Sequence, residues 1–131
     1  MSYDLSIQVK QDYIRAEVTG AREKGQEAAD ALAVWSSVAE TCTKNEIFRV
    51  LAVFNLTGDL PMLAAYNIGT SLIKNDVLMK LRVALVDLNV NSQEINRFTV
   101  TVAENRSSYG RAEIFNDEKN AINWLLEKQQ K

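Results

Sequence analysis

The chain has 131 residues, the size of one ordinary domain, with 47% hydrophobic and 24% charged residues and a net charge of −2. That mixture is globular rather than disordered and offers no basic field for nucleic acid or anionic lipid. Histidine is absent, which excludes a Ser-His-Asp triad, a Cys-His pair and a His-based metal site.

Residues 4–10 alternate, with Leu5, Ile7 and Val9 against Ser6, Gln8 and Lys10. Residues 13–18 repeat the pattern through Ile14, Ala16 and Val18, and Lys10-Gln11-Asp12 between them reads as a hairpin turn. Both are half-buried strands, so this end of the sheet is expected to have one wet face. Gly20 is expected to end the second strand. A helix is predicted from Glu23 to Thr43, with Ala28, Leu32, Trp35, Ala39 and Cys42 as its apolar stripe. Cys42, the single cysteine, rules out an internal disulfide and fits a reducing cytoplasm. Its place on the stripe makes it a small core residue.

From Phe48 to Leu56 the residues Val50, Leu51, Ala52, Val53 and Phe54 run without alternation, the mark of a strand covered on both faces. A turn follows, Asn55-Leu56-Thr57-Gly58-Asp59-Leu60-Pro61. Asp59 is expected to cap the next helix, with Pro61 in its first turn. That helix runs through Leu63, Ala64, Ile68 and Leu72, weakened at Gly69. Leu81 to Leu88 is a second continuous apolar strand. Ser92 is expected to cap a helix bearing Ile95, Phe98 and Val102 on one face, with Glu94 and Arg97 on the wet side. Gly110 opens an edge strand, Arg111 to Phe115. Asn116 or Asp117 caps a last helix that buries Ala121, Trp124 and Leu125, and the Lys/Gln tail beyond Leu126 is expected to fray.

The order is ββαβαβαβα, which predicts a single α/β domain over residues 1–131. Its five strands form a mixed, mainly parallel sheet with one antiparallel strand, accompanied by four helices. No apolar run approaches the roughly 18 residues of a membrane span. The opening MSYDLSIQVK has no apolar signal-peptide core, so the expected location is the cytoplasm. No acidic loop has the spacing for magnesium or calcium, so neither metal nor cofactor is expected.

The element order resembles that of STAS domains typified by the anti-sigma-factor antagonist SpoIIAA. The stretch from Ile114-Phe115-Asn116-Asp117-Glu118 to Ala121-Ile122-Asn123-Trp124-Leu125 is similar to the ending of the SpoIIAA-like group of bacterial proteins. The opening Tyr3-Asp4-Leu5 and the segment Val53-Phe54-Asn55-Leu56-Thr57-Gly58 fit it too. The resemblance implies a β/α superhelical fold, shared with lipid-carrying CRAL-TRIO-like domains, in a group of largely undefined function. Regulatory STAS domains are phosphorylated on a serine in an Asp-Ser-Ser-Gly-like turn that opens the helix after the third strand. Here that helix opens Gly58-Asp59-Leu60-Pro61-Met62-Leu63, with no serine, and Thr57 lies before the helix. That departure argues against a phospho-switch.

Ligands of α/β domains gather at the carboxyl ends of parallel strands. This makes Asn55, Thr57, Gly58 and Asp59, with Asp87, Asn89 and Asn91 of the neighbouring loop, the candidate binding residues. Turn and cap duty is the simpler role for the same residue types. Asp59 and Asp87 have no nucleophile or metal ligand beside them, so the expectation is binding rather than catalysis. Two forms of binding fit the residues. One is a protein-interaction or regulatory module, with a homodimer possible. The other is a lipid or small apolar molecule between helices and sheet, walled by residues such as Leu60, Leu63, Tyr66 and Phe98. If the helices gather on one side of the sheet, the apolar second face of strands 50–54 and 83–86 would need a partner or ligand to cover it.

Overall fold

The computed structural model describes residues 3–105 and 111–127. Gly110 and the tail beyond Glu127 lie outside them. The strands are β1 (Tyr3–Val9), β2 (Ile14–Ala21), β3 (Arg49–Thr57), β4 (Arg82–Asp87) and β5 (Arg111–Phe115). The helices are α1 (Glu27–Asn45), α2 (Met62–Leu72), α3 (Gln93–Asn105) and α4 (Glu118–Leu125). The sheet order is β1-β2-β3-β4-β5; β1 pairs antiparallel with β2, and every later pair is parallel. The mixed, mainly parallel five-stranded α/β architecture is the one the sequence predicts.

The strand order explains where the helices sit. Each crossover from β2 to β5 moves one strand further in the same direction. A common crossover hand therefore places α1, α2 and α3 on one face. That face carries Ile14, Ala16, Val18, Val50, Ala52, Phe54, Leu56 and Leu85, packed with Val34, Val38, Ala39 and Cys42 of α1. The opposite face of β3 and β4, with Leu51, Val53, Ala84 and Val86, is closed by Ala121 and Leu125 of α4. The expectation that this second face needs an outside partner is therefore corrected: the chain covers it with its own helix. On β1 the same side carries exposed Asp4, Ser6 and Gln8, the wet face foreseen.

Several element boundaries shift for identifiable reasons. Gly20 does not end β2, because the parallel ladder with β3 continues through Gly20–Leu56 and Ala21–Thr57. α1 starts at Glu27 rather than Glu23. Residues 24–26 form a turn in which the Gly25 N–H donates to the Glu27 carboxylate. Its buried side holds Glu27, Asp30, Val34, Val38, Ala39 and Cys42, whereas Ala28, Leu32 and Trp35 are half-buried. The Cys42 thiol has no exposure, and burial pushes its pKa up to about 11, which leaves it an inert core group at neutral pH. Asp59 does not cap α2. Pro61 occupies the N-cap position without a side-chain hydrogen bond. Asp117 does cap α4, accepting from the Asn120 N–H at 2.9 Å.

α4 is also tied to the sheet by charge. Arg15 of β2 donates through Nε and Nη2 to the two carboxylate oxygens of Glu118, at 3.0 and 3.1 Å. This bidentate bond holds the Glu118 carboxyl below its ordinary range. A depressed folded-state pKa gives stability that is present above the unfolded value of about 4.3 and lost as pH falls through the folded value. The Glu118 side chain is 43% exposed, so solvent screening limits the contribution to about 1 kcal/mol or less. In urea titrations, Glu118→Gln is expected to lower stability by that amount at pH 7. At a pH below the folded value the variant and the parent should coincide.

Candidate functional site

Beneath α1, α2 and α3 the sheet does not fill its own face. A cavity of about 130 Å³ opens between them, on the order of the ~150 Å³ apolar cavities that stay dry and admit a benzene-sized molecule. Val18, Phe54, Leu56, Val83 and Leu85 form its floor. α1 contributes Ala31, Val34 and Trp35, α2 contributes Ile68 and Leu72, and Leu78, Met79 and Leu81 close the end before β4. Trp35 leans on Phe54, with ring centroids 6.1 Å apart.

The polar wall residues belong mostly to the other end, where β2, β3 and β4 finish. Tyr3, Arg22, Glu27 and Asn96 line the cavity there, and Thr99 lies one turn further along α3. Arg22 follows β2, and its Nη1 donates to the Gly58 carbonyl at 2.8 Å and to Ser92 Oγ at 3.0 Å. Gly58 has φ +87, and a Cβ there would stand 3.3 Å from the Arg22 carbonyl oxygen, so a side chain would be strained and crowded. Asp87 is 2% exposed and accepts from the Asn89 N–H and from Asn96 Nδ2. Burial raises the pKa of the Tyr3 phenol; Arg22 opposes the shift, and Asp30 and Glu27 add to it. The phenol therefore stays neutral at physiological pH.

The two candidate loops do meet. Asn89 Nδ2 donates to the Leu56 carbonyl at 2.7 Å, and the Leu88 N–H donates to the Phe54 carbonyl at 2.9 Å. Gly58, Asp59, Asn89, Asn91 and Ser92 line a shallow polar cleft between the loops, and Leu60 lines both this cleft and the apolar cavity. Thr57 is exposed, its hydroxyl 3.4 Å from the Gly20 carbonyl. Asn55 is exposed and shares the sheet face of Leu51 and Val53, away from the cavity. Tyr66 is 38% exposed and lines neither space. Of the four expected walls Leu60 alone lines the cavity; Leu63, Tyr66 and Phe98 do not. Leu63 is 71% exposed because α2 buries Ala65, Ile68 and Gly69 instead.

Sequence reasoning missed Arg22, Glu27, Asn96 and Thr99. Their signal was spacing. Glu27 and Asp30 extend the stripe of Val34, Val38 and Cys42 at intervals of three and four residues, and Ser92, Asn96 and Thr99 form a small-polar stripe of the same period.

Among solved structures, this chain is similar to an uncharacterised protein of the DUF3478 family with a SpoIIAA-like fold, from Shewanella loihica PV-4. The match covers 95% of this chain and 94% of that one, with a TM-score of 0.51 and 18% identity. The chain has a SpoIIAA-like fold. No family model matches the sequence, and no curated protein matches it. The SpoIIAA-like neighbour is itself described as uncharacterised, so the likeness fixes architecture and leaves activity to be argued from the site. Among the described residues no helix is long and apolar enough to cross a membrane, and no group of three or more His, Cys, Asp or Glu could hold a metal ion.

Proposed function

We propose that this domain works by binding rather than by chemistry, and that it holds a small apolar molecule between α1, α2, α3 and the sheet. The observation that carries this reading is the cavity itself. Its walls are almost wholly apolar along the strands, and its polar wall residues concentrate at one end. An apolar space left open costs the dispersion contacts its walls would otherwise make. A ligand of matching shape restores them. Binding sites of this kind are commonly apolar pockets with a few placed polar groups that set orientation.

Native mass spectrometry of gently purified protein tests the reading. The expected result is a small mass excess lost on denaturation. Ala31→Phe, which fills the cavity from α1, should remove the excess while the protein remains folded by circular dichroism. Protein without any adduct, which also takes up no apolar probe, would sink the proposal.

A second reading, association with a protein partner or a second copy, has its own support. Met62, Leu63, Leu88 and Val90 are exposed around the paired loops, Val90 by 74%. Exposed apolar groups gathered in one region mark interaction sites more often than scattered ones do. A dimer without adduct in the same spectrum would favour this second reading.

A further inference from the structure

We infer that β1 is an interface between two copies of this chain, pairing with itself antiparallel about Ile7 to join their sheets edge to edge. β1 is the outermost strand, and among the described residues no other strand lies beyond it. The hairpin sets which of its backbone groups face outward. The Lys10 N–H donates to the Tyr13 carbonyl at 2.9 Å, and the register runs without a bulge from Val9–Ile14 to Tyr3–Gly20. Hydrogen-bonded and non-bonded pairs alternate along an antiparallel ladder. Asp4, Ser6 and Gln8 therefore turn their N–H and C=O groups to β2, whereas Leu5, Ile7 and Val9 turn theirs outward. Exposed edges are commonly blunted by proline, a bulge or an inward-pointing charge. β1 has none of these, and the side chains it shares with the α1 face are Tyr3, Leu5, Ile7 and Val9. Leu5 and Ile7 are half-buried and Val9 is 51% exposed, so a strand laid alongside would cover apolar surface.

Charge names the occupant as a second β1. In a two-fold antiparallel pairing about Ile7, Leu5 lies opposite the partner's Val9, Ser6 opposite the partner's Gln8 and Asp4 opposite the partner's Lys10. Leu5, Ile7 and Val9 then exchange their outward-facing hydrogen bonds across the axis. Asp4 and Lys10 meet twice. Both are exposed, and neither makes an ion pair among the described residues. Opposite charges directly across two strands attract, and like charges repel. A slip of the register to either side sets Asp4 against the partner's Gln8 or the partner's Asp12 instead and loses the match. The edge is separate from the exposed apolar loop residues Met62, Leu63, Leu88 and Val90. One strand pair is small beside the roughly 1,200–2,000 Å² of a stable complex, so the dimer is a weak one.

Sedimentation velocity of the intact protein from about 10 μM to about 1 mM, a range suited to small interfaces, tests the pairing. A monomer–dimer equilibrium is expected. Val9→Pro removes an outward-facing N–H and no hydrogen bond to β2, so this variant should fold by circular dichroism and stay monomeric. Asp4→Lys should weaken dimerisation about tenfold or more, because it sets like charges opposite each other twice. Adding Lys10→Asp to Asp4→Lys should restore the parent's affinity, and this exchange decides the matter if Val9→Pro fails to fold. A parent that stays monomeric over the whole range overturns the inference. So does a folded Val9→Pro that still dimerises, or a dimer unmoved by Asp4→Lys.

Discussion

Leu125→Ala is expected to destabilise the protein by about 3 kcal/mol, within the range for a fully buried leucine truncated to alanine. Leu125 has no exposure and packs with Ala121 against Leu51, Val53, Ala84 and Val86. α4 has eight residues and is the helix that closes this face of β3 and β4. Among the described residues no other helix packs on this face, so the cavity term adds to the lost burial. For a chain of this size the thermal midpoint should fall by about 10 °C. Leu63→Ala is the matched control. The sequence pattern puts Leu63 in the core, yet it is 71% exposed, and its truncation should change stability by about 0.5 kcal/mol or less. Equal losses at the two sites, measured by chemical denaturation, would contradict the packing described here.

Gly69→Ala is the second large effect, and its direction is the informative part. At an exposed helical site the exchange stabilises by about 1 kcal/mol, because alanine has the better helix propensity. At Gly69 the new Cβ would stand 2.9 Å from the Thr99 carbonyl oxygen and 2.9 Å from Val102 Cγ1, both on α3. A backbone oxygen cannot turn aside as the end of a long side chain can, so α2 and α3 must separate. Overpacking of this kind costs about 1–3 kcal/mol, enough to outweigh the gain in propensity. A net loss of about 1–2 kcal/mol is therefore expected by denaturant titration. Since α2 and α3 both wall the cavity, the same variant should alter ligand uptake. A stabilised Gly69→Ala would show that the two helices do not approach this closely.

Most of the fold was legible because its strands are of two distinct kinds. β1 and β2 alternate, since one of their faces is wet, whereas 50–54 and 83–86 are apolar throughout, since helices cover both sides. The helices were legible as periods but less so as faces. On α1 the apolar residues alone point to Trp35. The buried side includes Glu27 and Asp30, which a hydropathy pattern assigns to solvent. On α2 the large residues Met62 and Leu63 face outward, because the inward side needs a residue no bigger than glycine where α3 passes.

The candidate loops were placed by the rule that parallel strands direct ligands to their carboxyl ends, and Gly58, Asp59 and Asn89 do line one cleft there. Asn55 could not be assigned a side without the β3 register. The cavity itself has no sequence signature. It arises where half-buried Trp35, small Ala31 and Ala103, and polar Asn96 and Thr99 fail to fill a space that larger apolar residues would close.

The helix that seals the second face of the sheet follows all five strands in chain order. Polypeptide leaves the ribosome at about 5–20 residues per second, and earlier segments begin to fold as they emerge. Until residues 118–125 arrive, the side chains of Leu51, Val53, Ala84 and Val86 form an apolar ribbon against which Tyr13 and Phe115 pack, but without the helix that closes it. The nascent protein therefore passes through a stage at which chaperones or neighbouring nascent chains compete with the docking of α4 on the sheet.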